Sequence, residues 1–216
     1  RVAFRRVNSL RWRSMLTLMM AGLVAFASLN VDRWVASFLL NKEAFAHYSF
    51  IATLLAIAQA TQALINASVF PFLARRVVRA GRASAFKACL RITLLLLFVG
   101  LLAVPMFEVA LKYCIQHWYP LFGDTLELVQ LLLVVALLRV ANMWPSFLIA
   151  AGHETHLLVV NVLAIAAGAA AWALFGMSPG SEPISIRSVG LLAASLSVCS
   201  AAIFFLAAWR TYRTAG

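Results

Sequence analysis

Acid is scarce in this chain. Seven of its 216 residues are Asp or Glu, against 18 Lys or Arg. The seven are Asp32, Glu43, Glu108, Asp124, Glu127, Glu154 and Glu182, and they are scattered. An enzyme that needs carboxylates converging on one site is therefore disfavoured. Cysteine is rare too. Cys89, Cys114 and Cys199 lie far apart, with no CxxC or Cys/His spacing, so neither a disulfide framework nor a zinc site is expected. Walker A, GxGxxG, Ser/His/Asp and DxD patterns are missing, which removes the usual signs of ATP hydrolysis and glycosyl transfer. "AGHETH" brings His153 and His156 close together. It is not HExxH, and it reads as a short turn with Thr155 as its cap. No metal and no cofactor are expected.

What is abundant is apolar. Hydrophobic residues make up 64% of the chain, whereas a soluble domain has about 45–50%. The solvent that suits such a composition is lipid. A net charge of +11 in a soluble protein would point to nucleic acid. Here the basic residues sit between apolar runs, and aromatics join them only at the edges. The expected partner is the bilayer, not nucleic acid.

A membrane-spanning helix needs about 20 apolar residues. Six segments qualify: 15–40, 48–73, 92–111, 126–150, 157–175 and 189–209. The expected fold is all-α, a polytopic transmembrane bundle of six helices spanning 15–216. The last two segments are rich in Ala, Gly and Ser, which suits close helix packing in lipid. With residue 1 inside, the inner segments are 1–14, 74–91, 151–156 and 210–216, and they hold 13 Lys or Arg. The outer segments 41–47, 112–125 and 176–188 hold 3. That bias places both termini in the cytoplasm. Tyr113, Trp118 and Tyr119 mark the outer interface, and Trp12, Trp209 and Tyr212 the inner one. The stretch "RVAFRRVNSLRWRS" (1–14) reads either as a basic segment on the inner membrane surface or as a linker. The chain begins with Arg1, and we expect it to be a fragment of a longer protein.

Several polar residues lie inside the apolar runs. Gln59, Gln62 and Asn66 recur at i, i+3, i+7, and so do Arg139, Asn142 and Ser146. Each set occupies one helix face. Two matched stripes would line a water-filled cavity, or would tie helices together by hydrogen bonds. Arg139 favours the cavity, because an ionised group deep in a span faces water or a partner charge. Asp32 and Arg33 are neighbours and point about 100° apart. Asp32 is assigned to the cavity. Arg33 faces either the cavity or the outer headgroups, and an ion pair is the alternative for both. Pro71, Pro105 and Pro145 are positioned to kink their spans. Glu108 and Lys112 are spaced for an i,i+4 ion pair.

"NVDRWVASFLLNKEAFAHYSFIATLLAIAQATQALINASVFPFLARRV" carries Asp32–Arg33 near the end of one span, then Tyr48, then a span ending in Pro71 and Leu73–Arg75. "WYPLFGDTLELVQLLLVVALLRVANMWPSFLIAAGHETHLLVVNVLAIAAG" carries Phe122–Gly123, Ala150–Gly152 and Asn161. This ordered set resembles the second half of the polysaccharide flippases. These are the O-antigen and lipid-linked oligosaccharide exporters of the multidrug/oligosaccharidyl-lipid/polysaccharide transporter superfamily. The resemblance covers residues 12–175. It implies one lobe of a two-lobe, alternating-access transporter in the bacterial cytoplasmic (inner) membrane, with the N-terminal lobe as missing partner. The implied substrate is a polyprenyl-pyrophosphate-linked oligosaccharide. Arg139, and then Arg33, would attract its pyrophosphate or acidic sugars. Gln59, Gln62, Asn66 and Asn142 would hydrogen-bond sugar hydroxyls, and Asp32 would couple an ion or pair with an Arg. Two other readings stay open: a drug or lipid exporter of the same superfamily, whose cavity should be acidic if it exports cationic drugs, and a membrane-embedded enzyme or subunit acting on polyprenyl-linked sugars.

Overall fold

The structure is a computed structural model that describes residues 12–175 and 185–214. The described residues are helical apart from short connections. In chain order they form α1 (Trp12–Leu39), α2 (Lys42–Trp118), a 3-10 turn (Pro120–Thr125), α3 (Leu126–Ala141), α4 (Trp144–Ala150), α5 (Glu154–Phe175) and α6 (Ile186–Arg213). Most of the expected basic segment 1–14, and much of the loop 176–188, lie outside the described residues.

Several helix ends and hydroxyls are satisfied locally, although the buried Thr93 hydroxyl has no partner. Asn41 caps α2, its side chain accepting from the Ala44 N–H at 2.8 Å. Ser185 caps α6 through the Ser188 N–H at 3.3 Å. α4 closes with paired bonds, Gly152 N–H to the Ile149 carbonyl and His153 N–H to the Leu148 carbonyl, both at 3.0 Å. Inside the spans Thr53, Thr61, Ser68 and Ser197 each donate to a carbonyl one turn back in their own helix.

Five helical stretches are long and apolar enough to cross a membrane, with α3 and α4 together counting as one. Six apolar runs occupy these five because α2, at 77 residues, holds two of them. α2 is not a straight rod. The Phe50 ring lies 5.4 Å from Tyr119 and 4.2 Å from Phe122, whereas a straight helix would separate residues 50 and 119 by about 100 Å. The reversal occurs at Gly81, with φ 78° and ψ 168°, a conformation essentially confined to glycine. Arms 42–80 and 82–118 therefore run antiparallel. The loop expected at 74–91 is instead the end of one arm and the start of the next. Pro71 and Pro105 sit inside the arms, and the only non-helical backbone within α2 is at Gly81.

Folding back collects charge at one end. Arg75, Arg76, Arg79, Arg82, Lys87 and Arg91 flank Gly81, with no acid between 74 and 91. The last turn of α6, with Arg210 and Arg213, joins them, since Tyr212 stacks on Phe86 at 4.8 Å. Ala21 of α1 shares a buried cluster with Phe86 and Ala208. At the opposite end, Ile51 and Leu55 pack with Ile115 and Leu128. An i,i+4 ion pair, Lys112 to Glu108 at 2.6 Å, also lies toward that end.

Candidate functional site: a polar cluster at a broken helix

The apolar run 126–150 is interrupted between Ala141 and Trp144. Pro145 is the local cause, because it has no N–H to continue the ladder. The break leaves the Asn142 carbonyl without a backbone donor, and a side chain of α2 supplies one. Gln62 donates to the Asn142 carbonyl at 3.2 Å. The Cys89 thiol donates to the Met143 carbonyl at 3.6 Å. Irregular backbone at membrane depth is tolerated where it is covered in this way or lines a cavity.

Arg139 stands one turn before the break and is 4% exposed. Its Nε donates to Ser197 Oγ at 3.2 Å, and Nη1 to the Leu29 carbonyl at 3.3 Å. Arg139 thus ties α3 to α1 and α6. Its Nη2 lies 4.0 Å from Asp32 Oδ1, beyond hydrogen-bond length. Asp32 is fully buried and accepts a 2.6 Å hydrogen bond from the Tyr48 hydroxyl on Oδ2. Its Oδ1 has no hydrogen-bond partner. Two charges at 4 Å attract by about 4 kcal/mol at an effective dielectric of about 20. Desolvating each ion costs several kcal/mol. The pair is therefore roughly balanced when intact and costly when either member is removed.

Beside this pair is a cavity of about 40 Å³, lined by Ser28, Gln62, Arg139, Asn142, Ser197 and Ser200, among others. It has room for a few waters at most. A second cavity, about 350 Å³, shares Ser28, Gln62, Asn142 and Ser200 and extends between α1, α4 and α5 to Leu18, Ile149 and Asn161. The Asn142 Oδ1 atom is buried without a partner.

The structure divides the polar residues expected to share one aqueous face. Gln62, Arg139 and Asn142 line the cavities. Gln59 donates to the Leu29 carbonyl at 3.2 Å, and Asn66 accepts from Ser146 at 2.7 Å. Neither is among the lining residues, and both act as ties between helices. Their helix face is continuous, but it meets α1, the break and α4 in turn along its length. Arg33 lines neither cavity; its Nη2 donates to the Ala52 carbonyl at 2.6 Å. Asp32 faces Tyr48 and Arg139 rather than a cavity. Three partners of the cluster, Ser197, Ser200 and the Leu29 carbonyl, carry no signal in the sequence. Tyr48 was marked only by the resemblance.

At the basic end, His153 and His156 pack edge to face at 5.2 Å. Thr155, expected as a cap, is inside α5. Among the described residues no group of three or more His, Cys, Asp or Glu is placed to hold a metal.

No protein-family model, no curated protein and no solved structure matches the chain. The chemistry of the cluster is what bears on function. It offers a buried guanidinium with a distant counter-ion, beside amide and hydroxyl groups and a small cavity. Such a set can take up anionic oxygens and hydroxyls.

Proposed function

We propose that the chain is one lobe of a two-lobe transporter that carries a polyprenyl-pyrophosphate-linked oligosaccharide across the bacterial cytoplasmic membrane for cell-surface polysaccharide synthesis. In this reading α2 contributes two crossings, six in all, and both termini face the cytoplasm at the basic end. The observation that carries the proposal is Arg139, a buried cation beside a cavity at a break in a membrane helix. Discontinuous helices at mid-membrane commonly build the sites of secondary transporters. Arg139 would exchange its contacts with Leu29 and Ser197 for phosphate oxygens as the cavity opens, and Gln62 and Asn142 would meet sugar hydroxyls. The charge bias and the sequence resemblance support the same reading.

The test is cysteine accessibility in a background with Cys89, Cys114 and Cys199 replaced. Single cysteines at 62, 139 and 142 should react with a membrane-impermeant thiol reagent, whereas those at 59 and 66 should react slowly. Transport of a fluorescent lipid-linked oligosaccharide should fall in Arg139→Gln and recover partly in Arg139→Lys, with membrane insertion of each variant as control. Inert cysteines at 62, 139 and 142, with unimpaired transport in Arg139→Gln, would overturn the proposal.

A further inference from the structure

A second concave surface lies away from the polar cluster, between α5 and α6 at the basic end. It is a groove of about 490 Å³, within the size range of small-molecule sites. Its lining changes character along its length. At the mouth stand His153 just before α5, His156 in its first turn and Arg210 from the last turn of α6. Deeper in, Leu163, Ile203 and Leu206 make it apolar.

The described side chains at the mouth are basic or aromatic, and none of them is an anion. Arg210 is exposed and has no ion-pair partner among the described residues, whose ion pairs are Glu108–Lys112 and Asp32–Arg139. None of the described lining residues is acidic. Glu154 is the one acid that the sequence places in the turn 151–156. Arg82 adds a third basic element, since its charge is felt at His153. The Nε2 atom of His153 is buried without a partner.

We infer that this groove is a binding site for an anionic phospholipid. The phosphate rests between Arg210 and the His153–His156 turn, and an acyl chain lies along Leu163, Ile203 and Leu206. Three features select that occupant. The cations sit where a helix leaves the apolar core, which is the depth of lipid phosphates. A soluble anion would use the mouth and leave the apolar floor empty, and a neutral lipid would use the floor and leave the mouth unpaired. Basic pockets between membrane helices on the cytoplasmic side are a known means of holding anionic headgroups. The inference requires only that the chain sits in a bilayer and does not depend on what it transports.

The experiment is native mass spectrometry of the purified chain in detergent micelles doped with phosphatidylglycerol or phosphatidylcholine. Phosphatidylglycerol should be retained over phosphatidylcholine. Arg210→Gln should lower its occupancy about five-fold. Arg213→Gln is the charge-matched control, because Arg213 lies over the Trp209 ring at 5.3 Å and not in the groove; it should leave occupancy unchanged. Leu206→Trp, which fills the apolar floor, should also lower it, and inorganic phosphate should not displace the lipid. Absence of headgroup preference, equal losses in Arg210→Gln and Arg213→Gln, retention in Leu206→Trp, or displacement by inorganic phosphate would each overturn the inference. Both groove substitutions are at exposed positions, and circular dichroism confirms that the variants remain folded.

Discussion

Replacing Tyr48 by Phe isolates one bond. The ring is fully buried and keeps its volume, so no cavity forms. What disappears is the hydroxyl that donates to Asp32 at 2.6 Å. Asp32 Oδ1 already has no partner, and Arg139 is too far away to replace the donor. A hydrogen bond to a charged group is worth about 1.5–3 kcal/mol. With no water to compensate, Tyr48→Phe should cost about 2–3 kcal/mol. Asp32→Asn should cost about 3–5 kcal/mol, because it leaves Arg139 buried without a counter-charge. With Asn at position 32 the phenol still has an amide oxygen to bond, so adding Tyr48→Phe should cost only about 1 kcal/mol more. The predicted coupling is therefore about 1–2 kcal/mol. Reversible unfolding of the purified chain in mixed micelles, titrated with dodecyl sulfate and followed by circular dichroism, measures all four corners. A cost for Tyr48→Phe below about 0.5 kcal/mol, or the same cost in both backgrounds, would refute the view that Asp32 depends on this donor.

Other substitutions test the packing and the bend. A Cβ at Gly168 would lie 2.8 Å from the Leu196 Cα and 2.7 Å from its Cδ2. Gly168→Ala should therefore push α5 from α6 and cost about 1–3 kcal/mol in the same unfolding assay; rescue by Leu196→Ala would show that the side chain, not the backbone, was the obstacle. At Gly81 nothing lies within 4 Å of a built Cβ. Gly81→Ala should cost about 1–3 kcal/mol through backbone strain alone, and Gly81→Asn should fare no better, because this conformation is not the left-handed helical one that Asn tolerates; a neutral Gly81→Asn would count against the observed bend. Burial first, then Arg82 and His156, hold the His153 imidazole below its ordinary pKa of 6.5. Protons then bind the unfolded chain more readily than the folded turn, so stability should be full above about pH 6.5 and fall as pH drops below it. His153→Gln should flatten that slope between pH 8 and pH 5; an unchanged slope would place the effect elsewhere.

Much of the fold is legible in residue order. The apolar runs at 15–40, 48–73, 92–111, 157–175 and 189–209 are helical but for Leu40, and 126–150 is helical but for its break at Asn142–Met143, because twenty apolar residues in lipid have few other options. The bend at Gly81 is less legible. A stretch with six cations looks like a loop, yet Arg, Lys and Ala are good helix formers, and one glycine suffices to reverse the chain. The polar cluster was partly visible through Gln62, Arg139 and Asn142. Spacing located their helix faces but not what those faces meet. Three of the partners are backbone carbonyls, at Leu29, Ala52 and Asn142, and a carbonyl has the same identity at every position. Pro145 signals a disturbance, but the donor that the Asn142 carbonyl finds at the break, Gln62, lies on a helix eighty residues away.

The bend and the break are joined mechanically. Gly81 connects two long arms through a single residue, an elbow with no slack. The gap at Asn142–Met143 is a looser joint. Immediately after that joint, Trp144 and Phe147 press on Phe86, at 5.5 and 5.7 Å between ring centres. Phe86 stands five residues beyond the elbow. Any tilt of α4 that opened the cavity would be delivered through these rings to the base of the second arm, and an arm without slack would pass it to the first. The cavity and the cationic tip are thus coupled in series, so a load applied at either should be felt at the other.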